Sequence, residues 1–183
     1  LLRVKWNTEQ AMMNLVQVEA GEQDDLSVVY TGNITFAFPE MGGAPDICLV
    51  IESHTAVLWQ LKPAEAVSHE GETDVAKAIE AICKRMGRRF ENNGVKAKIS
   101  NQYLDNTELG KIQQIAANAN IDVYIDNETV AITPKGQPRM IDVPIVSPTT
   151  GLIGYPIPDL QGVKLQCPYD KSLRFGGLIE VAG

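Results

Sequence analysis

The chain has 183 residues, enough for one domain or two small ones, and its 44% apolar content supplies a core and excludes a disordered polymer. Sixteen Lys and Arg against 23 Asp and Glu leave a net charge of −7, which argues against general affinity for nucleic acid or an anionic membrane. No apolar stretch reaches the ~20 residues that cross a bilayer as a helix.

The first third reads as strands. Residues 26–38 (LSVVYTGNITFAF) are β-branched and aromatic, and Ile34, Phe36 and Phe38 alternate onto one face. Gly32 inside that run marks a bulge or a close backbone approach. Residues 39–45 are turn chemistry, 47–53 (ICLVIES) an apolar strand buried on both faces, and 55–61 (TAVLWQL) a further strand closed by Pro63. Residues 8–15 fit a short helix or a strand.

Residues 63–72 form a polar connector. Thr73 and Asp74 then offer an N-cap to a helix whose Val75, Ile79, Ile82, Met86 and Phe90 share one stripe, with Asn92-Asn93-Gly94 as its end. Lys84, Arg85, Arg88 and Arg89 fall mainly on the opposite face. A strand over 95–100 follows, then a helix capped by Thr107 that carries Leu109, Ile112, Ile115, Ala116 and Ala119, with Gly110 weakening it. Residues 121–125 and 129–133 read as a hairpin around Asp126-Asn127-Glu128. The middle of the chain is thus α-β-α-β-β.

The last third is β with dense turns. Residues 140–146 (MIDVPIV) read as a strand that Pro144 confines to an edge or bulge. Residues 147–155 form a bent loop on Gly151 and Gly154; 162–167 and 178–181 are short strands. The order predicts an α+β fold: residues 1–66 and 138–183 pair into one discontinuous antiparallel β-barrel or sandwich, and residues 71–134 are an inserted α/β domain. The start at Leu1 and the stop just after a strand suggest part of a longer protein.

The chemistry-bearing residues yield no catalytic motif. Cys48, Cys83 and Cys167 are odd in number and far apart, with no CxxC, which favours a reducing compartment over a disulfide framework. Cys48 and Cys83 read as small apolar fillers; Cys167, before Pro168, is harder to place. A Ser-His-Asp or Cys-His site needs a base beside an exposed nucleophile, and neither His54 nor His69 has one nearby in sequence. Asp24-Asp25, Glu40, Glu52, Glu70-Glu72 and Asp126-Glu128 read as solvated surface acids rather than a working acid pair. The Lys84-Arg85-x-x-Arg88-Arg89 cluster reads as a solvated helix face before a phosphate site. Gly151-x-x-Gly154 has the spacing of neither a dinucleotide fingerprint nor a P-loop. The sequons at Asn33 and Asn127 carry little weight, since no basic and apolar leader segment is seen. Trp6, Trp59, Tyr155 and Tyr169 are candidate interface anchors, with Trp59 the one expected in the core. The expectation is no catalytic, cofactor-binding or metal-binding residue, and no cofactor.

One set of motifs resembles a known family. The run Val29-Tyr30-Thr31-Gly32-Asn33-Ile34 is similar to the "Y-x-G-x-I" strand of phage tail baseplate hub proteins. Residues 147–156 (SPTTGLIGYP), then Gly162-Val163, then residues 176–181 (GGLIEV) follow the order of the family's glycine loop and closing strands. The resemblance covers most of residues 26–183. It implies a non-enzymatic structural component in the virion tail, assembled in the host bacterial cytoplasm. It also implies a homotrimer of the full-length protein, with tail tube and spike proteins as partners, whose β domains make a pseudo-hexameric collar between tube and spike. A whole hub is considerably longer than this chain.

A second resemblance covers residues 71–134 alone, which are similar to the ring-building N-domains of secretins and TonB-linked receptors and imply a periplasmic module. An enzyme built on Cys167 or an acid pair is the third reading; a deep pocket of converging titratable groups would mark it.

Overall fold

The computed structural model describes residues 14–22, 25–43 and 45–182. Its N-terminal sheet is a meander of β1 (Leu15–Glu22), β2 (Asp25–Glu40) and β3 (Cys48–His54). β2 is long because it serves two partners: residues up to Asn33 pair with β1, and residues from Asn33 onward pair with β3. A bulge at Thr35 sets Ile34 opposite Ser53 and Phe36 opposite Glu52. Neighbours on β3 alternate faces, so the bulge separates Ile34 from the face of Phe36 and Phe38 that period-two reading assigned to all three. β3 is also half-exposed or exposed throughout, not buried on both faces.

The expected strand at 55–61 is instead the short helix α1 (Val57–Leu61). A short apolar run has no period of its own to choose between the two states. Ala56, buried at φ 63°, turns the chain out of β3, and Val57 is buried under it. The connector at 63–72 hides strand β4 (Val67–Asp74), largely exposed and therefore polar in sequence. β4 pairs antiparallel with β6 (Lys98–Leu104), and an irregularity brings the Gly71 N–H onto Asn101 Oδ1 at 2.9 Å.

Helix α2 (Val75–Arg85) begins as expected: Asp74 accepts the Lys77 N–H at 3.0 Å. It ends earlier than the apolar stripe implied. Gly87 takes φ 65° and the Arg88 N–H returns to the Cys83 carbonyl, a left-handed stop. Phe90 then belongs to strand β5 (Arg89–Asn92), and Asn92-Asn93-Gly94 is the turn after it. Helix α3 (Glu108–Ala119) is capped by Thr107, whose hydroxyl accepts the Gly110 N–H at 3.1 Å. The hairpin of β7 (Ile121–Asp126) and β8 (Thr129–Pro134) forms with Asn127 at φ 51° in its two-residue turn. β5 adds parallel to β8, giving the order β5-β8-β7.

The core lies in this middle unit. Val75, Ile79, Ile82 and Cys83 of α2 and Ile112 and Ile115 of α3 pack on Val130 and Ile132 of β8, all eight at 3% exposure or less. β8 is buried on both faces, because residues 138–141 and 174–177 cover the side away from the helices. Thr133 lies on β8, fully buried, and its hydroxyl has no hydrogen-bond partner among the described residues. Thr133→Val keeps the shape and removes that unsatisfied group. Its unfolding free energy in urea is expected to rise by about 1 kcal/mol.

The C-terminal segment is mostly turns. β9 (Ile145–Val146) pairs parallel with β12 (Glu180–Val181), and β10 (Ile157–Asp159) forms a small hairpin with β11 (Gly162–Lys164). The expected strand over 140–146 shrinks to its last two residues, and those at 162–167 and 178–181 shrink likewise. Gly151 and Gly154, at φ 113° and 73°, do bend the 147–155 loop.

The fold is mixed α+β, but among the described residues no closed barrel exists and the N- and C-terminal segments share no sheet. β1 takes one side of β2 and β3 the other, each along half its length, and among the described residues β12 pairs with β9 alone. Side chains link the ends instead: Ser27 Oγ and Tyr169 OH lie 2.8 Å apart, and Lys171 Nζ meets Asp25 at 2.5 Å. Most of the uncertain 8–15 segment lies outside the described residues; Leu15 opens β1.

Candidate assembly surface

Arg139 is the centre of the contact between the C-terminal segment and the middle unit. On the sheet face away from the helices, Glu91 of β5 and Asp126 of β7 converge. The Arg139 side chain, 5% exposed, lies between them. Its guanidinium donates to both Glu91 oxygens at 3.1 and 2.7 Å, to Asp126 at 2.9 Å and to the Phe175 carbonyl at 3.0 Å. Beside it Phe175 stands edge-on to Tyr124, with ring centres 5.4 Å apart. Gly176, at φ 79°, passes so close over the Tyr124 ring that an added Cβ would sit 2.9 Å from it.

A second charged cluster holds the entrance to the middle unit. Arg85 donates two hydrogen bonds to Glu108 at 2.7 and 3.0 Å. The fully buried Lys111 donates to the Glu65 carbonyl at 2.6 Å. Arg139 holds the Glu91 carboxyl below the usual carboxylate range, and Arg85 does the same for Glu108. Both folded-state values are depressed, so both groups stabilise the fold above the ordinary value of 4.5, and that contribution is lost as pH falls through the folded values. Urea midpoints are expected to be level from pH 7 to 5.5 and to fall below pH 4.5; Glu91→Gln with Glu108→Gln flattens that acid limb.

The hairpin turn docks on the N-terminal sheet. Asn127 accepts the Thr31 N–H at 3.0 Å and donates to the Val29 carbonyl at 3.3 Å, so its amide pairs with the edge of β2 as a strand residue would. Its own carbonyl accepts from Arg88 at 2.5 Å. Asn127→Ala removes two hydrogen bonds and puts a Cβ-bearing residue without a polar side chain at positive φ. A loss of about 2 kcal/mol is expected in urea unfolding, of which Asn127→Gly recovers about half.

The residues singled out in sequence do not converge. His54 ends β3, exposed, and His69 is half-buried in β4. Cys48 is exposed at the start of β3 rather than a buried filler. Cys83 is buried as expected, and burial pushes its thiol up to about 11. Cys167 is half-buried beside Tyr169. Arg85 and Arg88 of the basic cluster are internal anchors, whereas Lys84 remains exposed and pairs with Glu80 at 2.9 Å. Glu72 pairs with Lys98 and Asp25 with Lys171. Asn33 is buried. Trp59 packs half-buried against the core, Tyr155 is 91% exposed, and Trp6 lies outside the described residues.

A cleft of about 650 Å³ separates the hairpin from the N-terminal sheet. Of its three acids, Glu91 and Asp126 are paired to Arg139 and Glu128 belongs to the hairpin turn, and no histidine, cysteine or lysine lines it. Among the described residues no three His, Cys, Asp or Glu gather as a metal site would require, and no helix is long and apolar enough to cross a membrane.

Large apolar side chains are exposed on both terminal segments. Leu15, Leu26, Phe36, Leu49 and Ile51 are exposed on the N-terminal sheet, and Tyr155, Ile157, Leu160 and Val163 on the small hairpin.

Over residues 3–183 the chain matches the profile of a family described as baseplate hub gp41. It belongs to that family.

The hub family is one of phage tail components, so a structural part of a phage tail is the coarse assignment. No curated protein matches the chain. Among solved structures, the tail protein from Neisseria meningitidis MC58 is similar in fold, with 11% identity and a TM-score of 0.50 over 84% of this chain and 55% of that one. Two others align less well. The prophage MuSo2 43 kDa tail protein from Shewanella oneidensis gives 12% identity and a TM-score of 0.45, over 86% of this chain and 53% of that one. Prophage tail protein gp18 from Listeria monocytogenes EGD-e gives 13% and 0.46, over 91% and 61%. The chain thus spans between half and two thirds of the length of these proteins.

Arg139 and its partners were not singled out in sequence. Asp126 stood there only as a turn acid, and a lone arginine in a Pro- and Gly-rich loop carries no periodic signal.

Proposed function

We propose that this chain is part of a baseplate hub whose ring contacts join the tail tube to the spike. The full-length polypeptide forms a homotrimer in the virion tail, assembled in the host cytoplasm. The family match over residues 3–183 carries this reading. The apolar side chains left exposed on both terminal segments support it, because a ring subunit must present such surface to its neighbours.

Residues 1–66 and 138–183 act as one discontinuous unit around the 71–134 insert. The Ser27–Tyr169 and Asp25–Lys171 contacts favour that division. The proposal assigns no catalytic, metal or cofactor role, and with a charge of −7 no nucleic-acid binding.

Two measurements test it. Quantitative mass spectrometry of purified tails is expected to find the protein at a multiple of three copies. Sedimentation of the full-length protein is expected to give a trimer. Absence from tails, or a strict monomer that binds neither tube nor spike protein, defeats the reading.

A further inference from the structure

Residues 14–61 hold seven Asp and Glu and no Lys or Arg, which equals the whole net charge of the chain. Asp25 has Lys171 as partner, but Glu19, Glu40, Asp46 and Glu52 have no cation within ion-pair distance among the described residues. This acidity lies on the part of the molecule with the least internal cover. Beyond Asn33, β2 and β3 project as a two-stranded ribbon, and the one substantial neighbour of β3 among the described elements is β2. Direct pairing places Phe36, Phe38, Glu40, Val50 and Glu52 on one face, and Ala37, Pro39, Leu49 and Ile51 on the other. Phe36 is 47% exposed, Leu49 69% and Ile51 42%. Both faces carry exposed apolar side chains, and among the described residues the outer edge of β3 carries no strand. An exposed, apolar edge strand of this kind is a template for pairing with another chain unless something blocks it. Neither a proline nor a lysine lies on β3 to block it.

We propose that the outer edge of β3 receives a strand from a different protein, one in which Lys or Arg alternates with apolar residues. The added strand would place its basic side chains on the face of Glu52 and Glu40. Its apolar side chains would fall on the face of Leu49 and Ile51, and its backbone would satisfy the open edge. A second copy of the same ribbon is the poorer occupant, because it sets acid against acid across the new pairing. The inference deepens the hub reading by giving the chemistry of one neighbour, and rests on that reading only for where the neighbour is found.

The test is fluorescence anisotropy with the full-length protein that carries this chain, using fluorescein-labelled peptides of four Lys-Val or four Glu-Val repeats. The Lys-Val peptide is expected to bind, at least tenfold more weakly in 300 mM than in 50 mM salt, and the Glu-Val peptide is not. Glu40→Lys with Glu52→Lys is expected to weaken binding at least tenfold, and the milder Glu40→Gln with Glu52→Gln about threefold. Glu70→Lys with Asp105→Lys makes the same change in net charge elsewhere on the exposed surface and is expected to change binding less than twofold. Circular dichroism confirms that each variant is folded.

No binding of the Lys-Val peptide by folded protein overturns the proposal. So does an equal loss in both Lys double variants, since that is general charge attraction. Self-association that excludes the peptide also overturns it by seating a second copy on the ribbon. Protein found in tails without peptide binding defeats this inference alone, and peptide binding by a protein absent from tails defeats the hub reading alone.

Discussion

Arg139→Ala is expected to lower the unfolding free energy by about 3 kcal/mol, measured by urea denaturation at pH 7. The cost comes from what is left behind. Glu91 and Asp126 lie on one covered sheet surface, and without the guanidinium both carboxylates lose the cation that pairs with them. The Phe175 carbonyl loses its donor as well. Arg139→Lys is expected to restore less than half of the loss, because a single ammonium cannot donate in a plane to two carboxylates and a carbonyl at once. The damage should be local at first. Residues 174–177 are expected to be cut faster by a non-specific protease in the alanine variant, while the α2–α3 face stays protected. An unchanged urea midpoint together with unchanged proteolysis would remove Arg139 from the account of what holds the C-terminal segment.

Ile132→Ala is expected to cost about 3–4 kcal/mol in the same measurement, the largest loss from an aliphatic truncation in the chain. Ile132 is fully buried in β8, the strand that β5 and β7 flank and that both helices cover. Neighbours held on both sides and above cannot collapse into the space, so the cavity term adds to the transfer term. A comparable truncation on the N-terminal sheet, Ile51→Ala, is expected to cost under 1 kcal/mol, because Ile51 is 42% exposed. A small loss at Ile132, equal to that at Ile51, would mean that the middle unit is not the cooperative core.

The middle unit was largely legible in sequence because its signals are local. Asp74 and Thr107 are caps within three residues of the amides they accept, and the β7–β8 hairpin closes on itself around one residue at positive φ. Reading failed where a distant partner decides the state. Val67–Asp74 is polar enough to pass for a linker and becomes a strand only because Lys98–Leu104 runs beside it. The 55–61 run is equally apolar as helix or strand; the left-handed Ala56 decides it, and nothing about an alanine announces that. Phe90 continues the stripe of α2 by coincidence of spacing, past a glycine that stops the helix. The expected shared sheet failed for a plainer reason: β2 pairs with a sequence neighbour on each side, and the edge left open beside Val29 and Thr31 is met by the Asn127 amide rather than by a strand from the far end of the chain. As for the site, the tail resemblance could be read from glycine-based motifs, but the Arg139 contact could not. Its two carboxylates lie 48 and 13 residues away, and no sequence period connects them.

The cover that Arg139 and Phe175 place over the second face of β5-β8-β7 also sets an order of events on the ribosome. About forty residues separate the end of β8 from Phe175. At roughly 5–20 residues per second they take about 2–8 s to be made. For that interval the newborn sheet has its helices on one side and bare Tyr124, Glu91 and Asp126 on the other. A stretch translated about forty residues after β8 is therefore the one that closes it, and a stall in that window would leave a half-covered sheet open to whatever strand or chaperone is nearby.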